Sequence, residues 1–413
     1  MSRLEELIQE LCPNGVELYK FDGVCQFIRG ITYNKSQEAK TASNTDVAVF
    51  RANNITLNSN TLNYDDVKMV VGAVKVKDTQ WLRKGDILMC AGSGSKDHIG
   101  KVAFIENDMK YTFGGFMGVV RCDDTILPRY MFHILTSGYF SKHLESAINR
   151  ATINNINGQV MSSFEFPVPP LEVQREIVRI LDSFTLLTAE LTAELTARKK
   201  QYEYYRDTLL TFDDENTPVY PLGEVCNVVS GGTPSKKELD YWDNGTIKWL
   251  GSTVCQNQKT VTEVTDYITE DGLKNSSAKM MNEETTLIAL VGATIGKVAF
   301  LPFKAAINQN IAGVYPKNLK QLNPSYVYYA CTTLYPKFLA LTQGTKLTMA
   351  NMSFVRSLPI AVPPIKAQER LVYVLDNFDA ICSDLSSGLP AEIEARQKQY
   401  EFYRDKLLSF KQL

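Results

Sequence analysis

Apolar side chains recur at alternating steps of three and four along two widely separated stretches of the chain. In the first, Ile177, Ile180, Phe184, Leu187 and Leu191 lie on one line; Leu195 follows four residues on, and Tyr202, Tyr205, Leu209 and Phe212 continue it. That period places one apolar stripe on a helix and predicts a coiled-coil-like seam over 171–212. An extra four-residue step falls in the tetrapeptide repeat Thr188-Ala189-Glu190-Leu191, Thr192-Ala193-Glu194-Leu195, a stutter that locally unwinds a supercoil. In the second stretch, Leu371, Val374, Phe378, Ile381 and Leu385 are followed by Ile393, Tyr400, Tyr403, Leu407 and Phe410. Gly388-Leu389-Pro390 interrupts this line, and a helix breaks or kinks at such a pair. Pro169-Pro170 and Pro363-Pro364 stand just ahead of the two helices, where proline is tolerated.

The remaining sequence reads as short strands. Residues 284–301 hold two apolar runs around the glycine-rich turn Gly292–Gly296, which predicts two buried strands. Gly85–Cys90, the turn Ala91–Ser95 and Gly100–Ile105 have the same form. The fold class expected is α/β (α+β): mixed blocks with short strands, joined by long helices.

The chain is also an internal repeat, which organises everything else. PPLEVQREIVRILDSF from Pro169 matches PPIKAQERLVYVLDNF from Pro363, and RKKQYEYYRDTLLTF from Arg198 matches RQKQYEFYRDKLLSF from Arg396. Upstream, Gly100-Lys101-Val102-Ala103-Phe104 matches Gly296-Lys297-Val298-Ala299-Phe300, and Val24-Cys25 with Arg29-Gly30 resembles Val225-Cys226 with Ser230-Gly231. The four offsets are 194, 198, 196 and 201 residues. The expected organisation is a block at 1–168, a helix segment at 169–214, a block at 215–362 and a helix segment at 363–413. Two equivalent helices, each with an apolar seam, most simply bury those seams against each other as an antiparallel coiled coil. The interface set is Ile177, Phe184, Leu191, Leu195, Tyr202 and Tyr205 on one side, and Leu371, Phe378, Leu385, Tyr400, Tyr403 and Leu407 on the other.

Composition narrows the function classes. The chain has 413 residues, 44% hydrophobic and 22% charged, which is ordinary for a globular protein. No apolar run reaches the ~18 residues a membrane helix needs. The opening MSRLEELIQEL carries acids where a secretory signal would be apolar, so a cytoplasmic location is expected. Cys12, Cys25, Cys90, Cys122, Cys226, Cys255, Cys331 and Cys382 are scattered without a C-x-x-C pair, which reads as reduced structural thiols. With three histidines, His98, His133 and His143, a histidine-based metal site is not expected. Net charge is -2. It is uneven: 1–168 is neutral, 169–214 carries -3, 215–365 carries +2 and 366–413 carries -1. Basic faces on the blocks remain compatible with a nucleic-acid partner.

Catalytic signatures are missing. Gly100-Lys101 and Gly296-Lys297 are each followed by Val-Ala-Phe, not by the Ser or Thr of a phosphate-binding loop. Asn323-Pro324-Ser325-Tyr326 approaches the base-flipping loop of DNA methyltransferases but lacks its second proline. No Pro-Asp opens a nuclease carboxylate cluster. What remains is polar loop chemistry. Gly231, Gly232, Thr233, Lys236 and Lys237 offer amides, hydroxyl and ammonium groups suited to phosphates, as do Ser93, Ser95 and Lys96. Asn154, Asn155, Asn308 and Gln309 offer side-chain amides that pair with adenine in the major groove, and Lys346 is a further phosphate candidate.

These features together resemble the specificity subunit of type I restriction–modification enzymes. The resemblance rests on Pro-Pro, Gln174 or Gln368, and K-Q-Y-E-Y/F-Y-R-D in each helical segment. It rests also on Leu222-Gly223-Glu224-Val225, Gly231-Gly232-Thr233-Pro234, Tyr241-Trp242, Ile247-x-Trp249 and Gly292-Ala293-Thr294-Ile295-Gly296 in the second block. The Thr-Ala-Glu-Leu repeat resembles one branch of that family. The first block departs from it, with Arg29-Gly30-Ile31-Thr32-Tyr33 in place of Gly-Gly-Thr-Pro. The resemblance adds Arg29, Thr32 and Thr294 to the DNA-binding candidates. It implies two target recognition domains, each reading half of a split site in double-stranded DNA, separated by two long helices that form an antiparallel coiled coil. It implies two modification subunits, with restriction subunits in the full complex. S-adenosylmethionine, ATP and Mg2+ would be used by those other subunits, with no catalytic residue, metal or cofactor in this chain and no membrane partner. A stand-alone DNA adenine methyltransferase built on Asn323–Tyr326 is the alternative, and a coiled-coil adaptor that binds no DNA is a third reading.

Overall fold

The computed structural model describes residues 2–39, 46–56, 59–71, 74–94, 98–148, 155–212, 217–342, 349–383 and 387–413. The chain divides into two compact units: Met1–Glu190 together with Glu394–Leu413, and Leu191–Ile393.

In the first unit, Cys25–Arg29, Met117–Cys122, Ile87–Cys90 and Val102–Phe104 form a four-stranded antiparallel sheet in that order. A second sheet orders Lys68–Val70, Val47–Phe50 and Tyr111–Phe113, the last pair parallel. Ile87–Cys90 is buried along its whole length, so it reads as a continuous apolar run without alternation. Helices Pro128–Thr136 and Gly138–Ile148 cover the four-stranded sheet. The core gathers Phe21, Tyr130, Phe140, Phe164 and Phe166 with Val173, Ile177 and Leu181 of the first long helix and Leu408 near the chain end.

The second unit repeats this frame with different lengths. Its larger sheet runs Cys226–Ser230, Ile311–Pro316, Thr286–Ala289, Val298–Phe300 and Gln258–Thr260. Its smaller sheet runs Asp266–Ile268, Ile247–Leu250, Ala305–Ile307 and Lys279–Met281. Pro324–Thr332 is the counterpart of Pro128–Thr136, each with proline in its first turn, where the missing N–H breaks no bond. The expected strand pairs are present: Ile87–Cys90 with Val102–Phe104, and Thr286–Ala289 with Val298–Phe300.

The first long helix spans Leu171–Leu209, 39 residues and about 58 Å. The second segment is not one long helix. Ile365–Ser383 and Leu389–Leu407, 19 residues each, are separate helices, the second opening just after Gly388 with Pro390 in its first turn. In the second unit the pairing of helices is antiparallel: Cys382 feels the charges of Arg198 and Lys199, Tyr202 those of Asp379 and Asp376, and Tyr205 stacks on Phe378.

The buried line differs from the predicted seam. Val173, Ile177, Leu181 and Leu375 are fully buried, whereas Leu187, Val374 and Ile381 are exposed by 36%, 39% and 45%. Near the blocks each helix packs on its own globular block, so the buried face turns toward the sheet-covering helices rather than following a coiled-coil stripe. Phe184, Leu191, Leu195, Tyr202, Leu371, Tyr400 and Leu407 are half-buried, while Tyr205 and Tyr403 are about 40% exposed despite their stacking partners. Leu385 lies outside the described residues.

Candidate nucleic-acid interface

Gln174 and Gln368, the glutamines shared by the two helical segments, hold each helix start to its block in the same way. Gln174 Oε1 accepts the Leu127 N–H at 2.8 Å, and its Nε2 donates to Pro169 O at 2.8 Å and Thr125 O at 3.2 Å. Gln368 Oε1 accepts the Asn323 N–H at 2.9 Å, and its Nε2 donates to Pro363 O at 2.7 Å and Gln321 O at 2.9 Å. Both side chains are fully buried. A buried amide with every hydrogen-bonding group matched fixes one orientation and one register.

A second polar joint differs between the units. In the first, fully buried His133 has Nε2 at 2.9 Å from Asp182 Oδ1 and Nδ1 at 3.0 Å from the Tyr400 hydroxyl. Arg129 Nε donates to the same carboxylate oxygen at 2.9 Å. Carboxylate geometry makes Nε2 the donor, so Nδ1 accepts from Tyr400. Burial pulls the His133 pKa below its ordinary value, against the pull of Asp182 and with help from Arg129 and Arg404. Burial alone would raise the Asp182 carboxyl, but the His133 hydrogen bond and Arg129 charge bring it below its usual range. At the matching place in the second unit, Asp376 accepts from the Tyr329 hydroxyl and pairs with Lys259. These groups join helix to block; they are not legible in the sequence because no local motif marks a contact between residues 267 positions apart.

At the loop end of the first unit, Arg29, Thr32 and Asn155 gather at the hairpin tip 114–116. Arg29 Nη2 donates to Gly115 O at 2.7 Å and Nη1 to Ile156 O at 2.8 Å, with Asn155 Oδ1 at 3.4 Å. Arg29 is half-buried. Its guanidinium staples the tip to the segment around Asn155. Thr32 is exposed, and its Oγ1 stands 3.3 Å from where a Cβ on Gly115 would lie. Ser93 is half-buried one residue beyond the bridge between Gly92 and Asn155. Ser95, Lys96 and Asn154 lie outside the described residues.

In the second unit, Gly231 and Gly232 are buried. Their N–H groups donate to Asn308 O at 3.2 Å and Ile307 O at 3.1 Å. The expected phosphate cradle of free backbone amides is thus corrected: these amides close the fold. A Cβ on Gly231 would stand 1.8 Å from Ile307 O, so glycine is required by close backbone approach. Gly30 has the same role, 2.2 Å from Gly114 O, which explains why a glycine recurs there in both blocks. Thr233 Oγ1 donates to Gln309 Oε1 at 2.7 Å. Asn308 is buried, its Oδ1 accepting the Asn310 N–H at 2.9 Å, so it shapes the hairpin tip from inside. Gln309, Lys236 and Lys237 are exposed. Thr294 is half-buried in the turn Gly292–Thr294, its Oγ1 donating to Val291 O at 3.4 Å. Lys346 lies outside the described residues.

Three further residues stand at these loop ends. Phe116 and Met349 are 72% and 56% exposed, and Asn310 closes the second hairpin tip. Phe116 follows two glycines between two strands, a pattern that marks a tip but not what its aromatic ring does. Asn323 does not form a base-flipping loop. Its Oδ1 accepts the Tyr326 N–H at 3.2 Å and caps the helix Pro324–Thr332. Among the described residues no group of three or more His, Cys, Asp or Glu side chains is placed to hold a metal ion, and no helix is long and apolar enough to cross a membrane. The described cysteines are free thiols.

The profile of the type I restriction–modification DNA specificity domain matches the chain twice, at residues 13–198 and 214–395. The specificity subunit of the Escherichia coli type I restriction enzyme EcoR124I/EcoR124II is 37% identical over 320 residues, 74% of this chain and 77% of that one. A putative type I restriction enzyme specificity subunit of Haemophilus influenzae is 29% identical, covering 82% of this chain and 87% of that one. Among solved structures, a chain from a type I R-M system studied for complex assembly and conformational transition superposes with a TM-score of 0.64 at 16% identity, covering 96% and 98% of the two chains. The S subunit of a type I system from M. genitalium gives 0.52 at 14%, covering 96% of each chain.

Proposed function

Because the chain belongs to the type I restriction–modification DNA specificity family, we propose that it is the non-catalytic subunit that selects DNA sequence for such a complex, each unit reading one half of a bipartite site. One observation carries this reading. Two copies of one frame, held to their helices by identical glutamine joints, present different side chains at equivalent loop ends. A shared frame with divergent tips suits two readers of two sequences. The exposed set Thr32, Gln309, Lys236 and Lys237, with Asn155 beside it, supplies donors for phosphates and base edges.

The helices carry a second feature that fits this role. Tyr204 and Phe402 occupy equivalent positions and are 66% and 63% exposed; Leu187 and Ile381 are another exposed equivalent pair. Exposed apolar side chains that recur at equivalent positions suit two copies of one partner, which we assign to the modification subunits. Those subunits would bring S-adenosylmethionine, and restriction subunits ATP and Mg2+, in the cytoplasm. The alternative of a stand-alone methyltransferase loses its one support, since Asn323 is a helix cap.

Exchange of residues 1–168 for those of a related subunit tests the proposal. Methylation mapping of the assembled complex should show one half of the recognised sequence changed and the other retained. Alteration of both halves, or of neither, would overturn it.

A further inference from the structure

The same three-way joint closes the loop end of each unit. In the first, the N–H groups of Ala91 and Gly92 both donate to Phe116 O at 2.9 Å, and Gly92 forms an antiparallel bridge with Asn155. In the second, the Leu290 N–H donates to Asn310 O at 2.9 Å, and Val291 forms the matching bridge with Met349. The residues leaving the central strand are thus flanked by one position from the hairpin tip and one from the segment before a short asparagine-capped helix. In the first unit those positions hold Phe116 and Asn155. In the second they hold Asn310 and Met349. Each joint carries one asparagine and one large apolar side chain, in exchanged order.

The apolar member is the exposed one in both units, 72% for Phe116 and 56% for Met349. Neither belongs to its unit's apolar core. Exposing such a side chain forgoes its burial energy. An exposed apolar side chain occurs at the same three-way joint in two blocks of otherwise different sequence, at the tip position in one and the neighbouring position in the other, which suits an external partner. The neighbours are polar: Thr32 and Arg29 near Phe116, Asn308 and Gln309 next to Asn310. An apolar side chain beside an amide has a specific use in the major groove, where thymine presents a C5 methyl and its adenine presents a donor and an acceptor.

We propose that Phe116 with Asn155, and Met349 with Asn310, are base-reading pairs, the apolar side chain packing on a thymine C5 methyl and the amide bonding the adjoining adenine edge. The inference rests on the DNA-reading function above. It names, for each half-site, the residue that detects one methyl group.

The test uses the full chain assembled with its modification subunits and a duplex carrying the sequence that the wild-type complex methylates. Each thymine is replaced singly by deoxyuridine, which removes only the methyl. For the wild-type complex, one replacement in each half-site should weaken binding roughly four-fold, the factor expected for one buried methyl. Phe116→Ala should abolish the response in one half-site only, and Met349→Ala in the other only. Phe116→Leu, apolar but not aromatic, should keep it, which separates lost contact from lost fold. Sequence-selective binding with unchanged deoxyuridine responses in both alanine variants, or with no response at any thymine in the wild type, overturns this inference alone. A wild-type complex without sequence preference overturns the function on which it rests as well.

Discussion

Phe184 stacks on Tyr403 with ring centroids 5.6 Å apart and planes at 20°. Their counterparts at the repeat offset, Phe378 and Tyr205, stack at 5.7 Å and 29°. In both units the phenylalanine comes from the start of one repeat's helical segment and the tyrosine from the end of the other's. Each compact unit is therefore completed by helix from the opposite repeat. Stacked aromatic pairs contribute about 0.5–1.5 kcal/mol beyond their buried area. Tyr403→Ala should loosen the first unit and Tyr205→Ala the second, each by at least that amount. Hydrogen exchange read unit by unit checks it; equal loosening of both units by either variant would contradict the separation.

The glutamine joints should be costly to break. Gln368→Ala leaves the Asn323 N–H without its acceptor and the Pro363 and Gln321 carbonyls without their donor. Unmatched buried polar groups cost about 1–3 kcal/mol each, partly relieved by water. A loss of about 2–3 kcal/mol is expected in urea denaturation, and Gln174→Ala should behave alike. A loss below half a kcal/mol in either would refute the role.

The two glycines of the repeated Gly-Lys-Val-Ala-Phe element should differ in tolerance. Both have left-handed backbone, φ +79 at Gly100 and +75 at Gly296, which strains any L side chain by about 1–2 kcal/mol. A Cβ at Gly296 would lie 2.5 Å from Phe338 Cβ, an atom tied to its backbone, whereas at Gly100 the nearest atom is the mobile Leu144 Cδ1. Gly296→Ala should be the worse by about 1–2 kcal/mol, the overpacking increment. Thermal unfolding of the two variants compares them directly.

Acid should weaken the first unit through His133. Its folded-state pKa lies below the ordinary value because it is buried, so the unfolded chain takes up the proton first. The stabilisation is complete above about pH 6.5, the free imidazole value, and is lost as pH falls from there toward the lower folded value. His133→Gln should flatten this dependence while lowering stability at neutral pH. The second unit, with Tyr329 at the matching place, should lack this histidine-linked slope. Melting temperatures across that range provide the measurement.

The tetrapeptide repeat offers a length test. One more Thr-Ala-Glu-Leu after Leu195 lengthens the helix by about 6 Å and turns the residues beyond it by about 40°. One base pair rotates a distant half-site by roughly 34–36°. Rotation favours one added base pair and the ~6 Å extension, at ~3.4 Å per base pair, allows two, so the insertion variant should recognise the same half-sites with one or two more base pairs between them. Methylation mapping that finds an unchanged spacer would show that this helix does not set it.

The two-block frame was legible in the sequence because it is written twice. Pro-Pro, the glutamines and the tyrosine-rich helix ends recur at a near-constant offset, and the same period that marks the helices locates them. The buried line on the helices was harder to read. Leu187 and Ile381 satisfy the three-four spacing yet are exposed, because periodicity finds a stripe without saying what covers it. The candidate interface is legible only in part. Gly231 and Gly232 mark a glycine-rich loop in sequence, but their amides are internal. Nothing in the sequence marks Phe116 or Met349, since exposure of an apolar residue depends on which strands meet beside it.

The first unit is discontinuous in the chain, closed by Glu394–Leu413, whereas Leu191–Ile393 is continuous. Leu408 is fully buried in the first core, and Val16 N–H donates to Lys411 O at 2.8 Å. Synthesis therefore delivers the parts out of order. At about 5–20 residues per second, the intervening segment alone keeps the first unit waiting some 10–40 s for its last helix, while the second is made without interruption. The block made first is the one finished last, and loss of Glu394–Leu413 would leave the later unit whole and the earlier one open.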